Sequence, residues 1–296
     1  MGGRPCSPTR GRGEAVLVLT LVTGITLGML VEQADLKRQP GARPSAAVAA
    51  ERAIPLFNGR DLTGWYTFLQ KHGKNQDPDR VITIEDGMIH LYKDAPEGST
   101  VVMGYIATEK EYGDYHLRLQ YRWGAKKFQP RFALKRDAGL YYHLNGPDAV
   151  WPRGLQYQIE QTNVGDLITL YGFQLESWID PKTRGAAMST FQAADQGGQP
   201  RVLGGRGIAY QKRLPGDLEV DGWNTVEILA RGDTTTHILN GQVVNQGRNI
   251  RFDDPEHPGA PRPVTRGRIA LEIEAAEIDY RNVEIQLLPL PPGRLR

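Results

Sequence analysis

The stretch Tyr115-His116-Leu117-Arg118-Leu119-Gln120-Tyr121-Arg122-Trp123 alternates apolar and polar side chains without a break. Successive side chains of a β-strand point to opposite faces of its sheet, so this pattern predicts a strand with one buried face. Residues 140–144 and 155–160 alternate in the same way. Residues 269–273 and 283–287 predict two closing strands.

The remaining sequence also favours strands over helices. The pair Asn240-Gly241 between apolar residues predicts a hairpin with a two-residue turn. No stretch after Val31 keeps a helical apolar stripe for three turns. Residues 180–216 are rich in Gly, Gln, Arg and Pro and predict a long loop. The sequence therefore predicts an all-β fold, a two-sheet antiparallel sandwich.

Composition excludes several classes of protein. A net charge of +2 over 296 residues gives no electrostatic case for a nucleic-acid partner. The single cysteine, Cys6, rules out a disulfide framework within the chain and a cysteine-cluster metal site. The 34 glycines and 20 prolines indicate many turns between short strands. The oligomeric state is not determined by these features.

The N-terminus has the pattern of a targeting segment. Residues 15–31 are uncharged, and Arg4, Arg10 and Arg12 precede them. A cationic flank stays in the cytoplasm, so residues 1–34 predict a signal peptide or a membrane anchor through residues 15–31. Residues 35–53 predict a flexible linker, and 54–290 the folded domain. We expect an exported domain that is periplasmic, extracellular or anchored to the outer face of the cytoplasmic membrane.

Three predicted strands carry polar side chains opposite their apolar face. These side chains are Arg118, Gln120 and Arg122, then Tyr141 and His143, then Gln156, Gln158 and Glu160. If the strands are neighbours, the side chains line one surface, with Trp151 in the turn joining the last two. Amides, charges and aromatic rings suit a sugar, whose hydroxyls need polar partners and whose C–H faces stack on rings. The alternative is the ordinary solvated face of an antiparallel sheet.

A set of short motifs occurs in order along the chain: residues 56–65 (LFNGRDLTGW), 106–115 (IATEKEYGDY), 136–143 (RDAGLYYH), 154–160 (GLQYQIE), 222–226 (GWNTV), 239–241 (LNG), 267–271 (GRIAL) and 280–283 (YRNV). On these motifs the chain resembles the 3-keto-disaccharide hydrolase family over roughly residues 54–288. The resemblance implies a concanavalin A-like lectin/glucanase jelly roll. It also implies a substrate sugar already oxidised to a ketone at C3.

A 3-keto sugar has an acidic C2 proton, so its cleavage needs a base, a group that stabilises the enolate and an acid for the leaving group. A divalent metal ion would be a possible addition. We expect His143 and Glu160 to be catalytic, and they are also the candidate metal ligands. The expected substrate-binding residues are Tyr141, Gln156, Gln158, Trp151, Arg118, Arg122 and Asp137. Such an enzyme would be a hydrolase or lyase acting on 3-keto-glycosides.

Two positions depart from the family pattern. The central strand of the family usually begins with Glu where this chain has Gln156, and its usual Leu-Gln pair appears here as Leu271-Glu272. The carboxylate missing at Gln156 favours an alternative, a non-catalytic carbohydrate-binding module at the cell surface. Glu160 and Glu272 are the candidates to replace that carboxylate.

Overall fold

The computed structural model describes residues 52–289, which form two β-sheets packed face to face. The strands are β1 Ile54–Pro55, β2 Trp65–Leu69, β3 Gly73–Lys74, β4 Ile82–Glu85, β5 Met88–Leu91, β6 Gly104–Thr108, β7 Tyr115–Lys127, β8 Asp137–Asn145, β9 Arg153–Glu160, β10 Leu167–Leu170, β11 Phe173–Ile179, β12 Ser189–Thr190, β13 Gln199–Gly204, β14 Ile208–Lys212, β15 Asn224–Arg231, β16 Thr234–Leu239, β17 Gln242–Phe252, β18 Arg262–Pro263, β19 Arg268–Ile273 and β20 Ala276–Leu287. Two 3₁₀ turns, Pro181–Thr183 and Ala194–Gln196, complete the described secondary structure.

Sheet 1 has the strand order β13-β11-β17-β16-β15-β7-β20-β5-β4, and β1 and β18 pair with β20 and β17. Sheet 2 has the order β12-β14-β10-β9-β8-β19-β6-β2-β3. The pairs are antiparallel except β12 with β14, which is parallel. Strands adjacent in sequence often lie in different sheets, as β7 and β8 do. The prediction of an all-β, two-sheet jelly-roll sandwich is confirmed.

The core lies between the sheets and follows the alternation of the sequence. In β7 the side chains of Tyr115, Leu117, Leu119 and Tyr121 are fully buried, while Arg118 is exposed. The predicted two-residue hairpin joins β16 to β17, with positive φ at both Asn240 (48°) and Gly241 (83°), as a type I′ turn requires. The segment 180–216 is less loop-like than predicted, because it contains β12, β13 and β14.

His143 interrupts the alternation of β8. Its φ of 53° lies in the left-handed region, and the pairing of β8 with β9 shifts register after Tyr142. This bulge turns His143 into the core, 5.4 Å from the ring of Tyr142, and turns Leu144 to the opposite face. The orientations predicted for His143, on the polar face, and for Leu144, on the apolar face, are therefore both reversed. A Cβ at Gly267 would lie 2.4 Å from the His143 carbonyl carbon, so the segment that enters β19 needs glycine at this position.

The predicted targeting segment 1–34 and all but the last two residues of the predicted linker 35–53 lie outside the described residues. Within residues 52–289, no helix has the length and apolarity to cross a membrane.

Candidate active site

The outer face of sheet 2, which points away from the core, gathers the polar side chains of β8 and β9. Tyr141 lies opposite Gln156, and Asp137 lies opposite Glu160. β19 is the next strand, with Ala270 paired to Tyr141, so the alternation places Glu272 on the same face. The chain just after β19 adds Glu274. This face therefore holds the predicted polar side chains of β8 and β9, apart from His143, and none of those of β7.

A carboxylate cluster forms here, defined as Asp137, Glu272, Glu274 and the guanidinium of Arg131. Arg131 lies in the connection between β7 and β8. Its Nη2 donates to Oδ2 of Asp137, and its Nη1 lies 3.0 Å from Oε1 of Glu274. The side chains of Asp137 and Glu274 are 4% and 7% exposed, whereas that of Arg131 is 24% exposed. Arg131 is thus the most accessible member of the cluster.

Two glutamines link the carboxylates at either end of the cluster. Nε2 of Gln156 donates to Oε2 of Glu272 at 2.7 Å and to Oε1 of Gln158 at 2.5 Å. Nε2 of Gln158 donates to Oδ1 of Asp137 at 2.6 Å. The Tyr141 hydroxyl donates to the other oxygen of Glu272. A continuous chain of hydrogen bonds therefore fixes both carboxyl groups.

Gly139 makes the contact between Gln156 and Glu272 possible. It lies on β8, between the strands that carry these two side chains, and faces the site. A Cβ at this position would lie 2.5 Å from Oε2 of Glu272 and 2.6 Å from Nε2 of Gln156. The absence of a side chain thus lets the two groups meet above the middle strand.

The cluster retains protons at neutral pH. Burial raises the pKa of Asp137 to about 8, Glu274 adds to this rise, and Arg131 opposes it. Burial also raises the pKa of Glu272 well above its usual range, with further contributions from Glu274 and Asp137. The pKa of Glu274 rises through burial against the opposing charge of Arg131. One guanidinium cannot balance three buried carboxylates, so ionised and neutral carboxyl groups coexist.

Glu272 and Glu274 are linked electrostatically, because after burial the charge of Glu274 is the next largest cause that raises the pKa of Glu272. The two carboxyl groups therefore share a proton near neutral pH. Glu160, opposite Asp137, lies at the edge of the cluster and its charge raises the pKa of Asp137 further.

Aromatic side chains surround the cluster. Tyr210 of β14 lies in the same cross-strand row as Gln156, with Ile168 between them, and is 39% exposed. On the other side, the hydroxyls of Tyr66 and Tyr105 donate to Oδ1 of Asp148 at 2.7 and 2.6 Å. These two contacts anchor the loop between β8 and β9 against the outer face of sheet 2.

The structure brings some of the predicted site residues together and separates others. Tyr141, Gln156, Gln158, Glu160 and Asp137 share the outer face of sheet 2. The separated residues are His143, Arg118, Arg122 and Trp151.

Arg118 and Arg122 lie on β7 in sheet 1, where they pair with Glu284 and Asp279. The prediction that they share a surface with β8 and β9 is wrong, because the chain changes sheets between β7 and β8. Trp151 is 41% exposed in the loop between β8 and β9. It lines a cavity of about 460 Å³ with Tyr171 and does not touch the cluster.

His143 lies between the sheets rather than beside Glu160. Neither ring nitrogen has a hydrogen-bond partner within residues 52–289, and burial lowers its pKa to about 4. Its ring is therefore neutral and packs against Tyr115 and Tyr142.

The candidate metal site of His143 and Glu160 is consequently not assembled. No group of three or more His, Cys, Asp or Glu side chains in the described part of the chain has the arrangement of a metal site.

Glu274, Arg131 and Tyr210 were not predicted from the sequence, and Glu272 was predicted only as a replacement carboxylate. Alternation was an available signal for both glutamates, because Leu271 and Ile273 are buried core residues and their neighbours must face outward. Arg131 lies in an irregular connection, where sequence periodicity gives no orientation.

An all-β sandwich with a buried carboxylate cluster on one outer sheet face is an architecture suited to carbohydrate chemistry. The sequence matches the family described as the 3-keto-α-glucoside-1,2-lyase-like domain over residues 52–286, and the chain belongs to that family. The resemblance drawn from the ordered motifs is confirmed. The chain is therefore a carbohydrate-acting protein of jelly-roll type.

Solved structures with a similar outline are distant. A candidate glycosyl hydrolase from Parabacteroides distasonis is 20% identical, with a TM-score of 0.46, over 79% of this chain and 93% of that one. The carbohydrate-binding module CBM66 from Bacillus subtilis is 13% identical, with a TM-score of 0.38, over 75% and 95% of the two chains. A β-glucanase from Bacillus licheniformis is 9% identical, with a TM-score of 0.40, over 80% and 98%. No curated protein sequence matches the chain.

Proposed function

We propose that the protein cleaves 3-keto-glycosides by removing the C2 proton and eliminating the substituent at C1, with addition of water completing hydrolysis. The observation that carries this proposal is the carboxylate cluster, in which one guanidinium contacts two buried carboxyl groups that titrate above their usual range. Such a site can hold a base and an acid at the same pH.

The reaction places three demands on the protein. A base takes the C2 proton, and the electrons of that bond form an enolate whose oxygen is the former C3 ketone. When the ketone reforms, a C1–C2 double bond forms and the C1–O bond breaks. The leaving oxygen then takes a proton from an acid.

The cluster offers one group for each demand. Asp137 is the proposed base, because a pKa of about 8 lies near a neutral operating pH. Arg131, the most accessible member of the carboxylate cluster, would stabilise the enolate oxygen. The Glu272 and Glu274 pair, which keeps a shared proton, would protonate the leaving group. Tyr210 offers an exposed ring on which a sugar face can stack.

The departure at Gln156 supports the enzyme over the binding module. In the family pattern a Glu is usual at position 156 and a Gln at position 272, and this chain has the reverse. The two side chains form a hydrogen bond to each other at 2.7 Å. Relative to the family pattern, the carboxylate is therefore at position 272 instead of 156, and the amide is at 156 instead of 272. The pair still contains one carboxylate.

The test uses the purified protein with a 3-keto-disaccharide and with its unoxidised parent. We expect turnover of the ketone only, and a fall in kcat of about 10²–10⁴ in Glu272→Gln, the range for loss of an acid–base group. Glu176→Gln, on the distant sheet 1, is the matched control and should keep full activity. Binding of both sugars without turnover would refute the enzyme and leave a carbohydrate-binding module.

A further inference from the structure

A second cavity of about 460 Å³ lies at the end of the sandwich where β7 ends and β9 is followed by Gln161. Its described walls include Trp123, Arg136, Gln161 and the loop from Arg213 to Gly222. The amide of Gln161 donates to the Arg136 carbonyl at 2.9 Å, just beyond the pair Asp137 and Glu160. Because the side chains of successive residues in a strand alternate between its two faces, those of Arg136 and Gln161 face away from the carboxylate cluster.

The wall of this cavity is held in place by the half-buried carboxylate of Glu219. Glu219 accepts hydrogen bonds from the Tyr121 hydroxyl at 2.9 Å and from Nε1 of Trp123 at 2.7 Å. Its second oxygen accepts from the Thr162 amide at 2.8 Å. Arg213 donates to carbonyl oxygens of the same loop, including Gly216 at 2.9 Å. The cavity is therefore preformed rather than a gap beneath a loose loop.

The cavity is lined by both basic and acidic side chains. Arg213 is only 8% exposed, and its Nε, like that of Arg136, is buried and has no partner among the described residues. The carboxylates of Asp217 and Asp221 are exposed at the rim. Charges of both signs do not suit a simple anion or cation. They suit a neutral ligand with many hydroxyl groups, each of which donates and accepts.

We propose that this cavity is a second carbohydrate site, which binds a neutral mono- or disaccharide without turning it over. The volume falls within the range of small-molecule sites, and Trp123 supplies the apolar surface that a sugar face needs. The site shares no side chain with the carboxylate cluster. It therefore stands or falls independently of the reaction proposed above.

The experiment measures the affinity of the full chain for cellobiose, an unoxidised disaccharide, by titration calorimetry. The variant Asp217→Asn with Asp221→Asn changes two exposed rim groups, so the fold should be unaffected. We expect it to weaken binding about tenfold or more, as loss of hydrogen bonds to charged groups does. Glu272→Gln and the control Asp86→Asn, at the exposed turn between β4 and β5, should bind as the wild type does.

Two results would overturn this proposal. One is the absence of cellobiose binding to the wild-type protein. The other is unchanged affinity in the double rim variant, above all if Glu272→Gln then loses binding, since the sugar would occupy the carboxylate cluster instead.

Discussion

The contact between Gln156 and Glu272 can be inverted, and the outcome is specific. Gln156→Glu alone would place two carboxyl groups 2.7 Å apart at positions that are only 4% and 2% exposed. They cannot both ionise, so they must share a proton, and one donor to Glu272 is lost. We expect the free energy of unfolding at neutral pH to fall by about 1–3 kcal/mol, the cost of a buried group left unsatisfied.

The second single variant and the double variant complete the cycle. Glu272→Gln keeps the shape but removes the acid, so activity falls with little change in stability. Gln156→Glu combined with Glu272→Gln restores one carboxylate and one amide with the direction of the hydrogen bond reversed. We expect the double variant to recover most of the stability and, within about tenfold, the activity. The coupling free energy should be about 1–3 kcal/mol, within the range for residues in contact.

The assay combines urea unfolding with kcat/KM for the 3-keto-disaccharide, measured for all four proteins under the same conditions. Additive effects on both quantities would refute the account, because they would mean that positions 156 and 272 do not share one carboxylate. A double variant that is stable but inactive would show that the position of the acid is fixed at 272 in this chain.

Three further predictions follow from the same geometry. Gly139→Ala displaces the flexible ends of Gln156 and Glu272, so kcat should fall about tenfold or more while the free energy of unfolding changes by less than about 1 kcal/mol. Gly185→Ala is the control, because a Cβ at that position meets open space. Equal kcat values for the two variants would contradict the role of the contact between Gln156 and Glu272. With Asp137 as base, kcat/KM should rise about tenfold per pH unit and level off near pH 8, so a flat profile from pH 5 to 8 would exclude it. The raised pKa of Asp137 means that the folded state binds the extra proton, so the wild type loses stability as pH rises from about 4 to about 8. Asp137→Asn removes that loss. The free energy of unfolding of the variant, measured in urea relative to the wild type, should therefore be more favourable at pH 8 than at pH 5, by at most about 1.4 kcal/mol per pKa unit. A difference that shrinks as pH rises would contradict the assignment.

Alternation predicted the strands well because each has one face in the core. β9 shows this most clearly, since Leu155, Tyr157 and Ile159 are buried between the sheets and Gln156 and Gln158 lie on the outer face. The same rule failed at His143, because a bulge adds one residue and reverses every orientation after it. A periodic pattern carries no sign of such an insertion, which here depends on the close approach of Gly267, just before β19.

The site was predicted in part for a related reason. β8 and β9 are joined by a short loop and pair directly, so their outer side chains could be grouped from sequence alone. Arg118 lies on a strand of the same pattern in the other sheet, and local sequence does not report which sheet a strand joins. Glu272 comes from β19, more than 100 residues away, and reaches the site only because the topology inserts β19 beside β8.

The central claim is that cleavage proceeds through loss of the C2 proton. The most direct measurement follows a 3-keto-disaccharide carrying deuterium at C2 during turnover by the wild-type protein. We predict that deuterium passes to solvent with every glycosidic bond broken, and that the parent disaccharide is not cleaved. Cleavage with the deuterium retained at C2, or equal cleavage of the parent sugar, would contradict the mechanism.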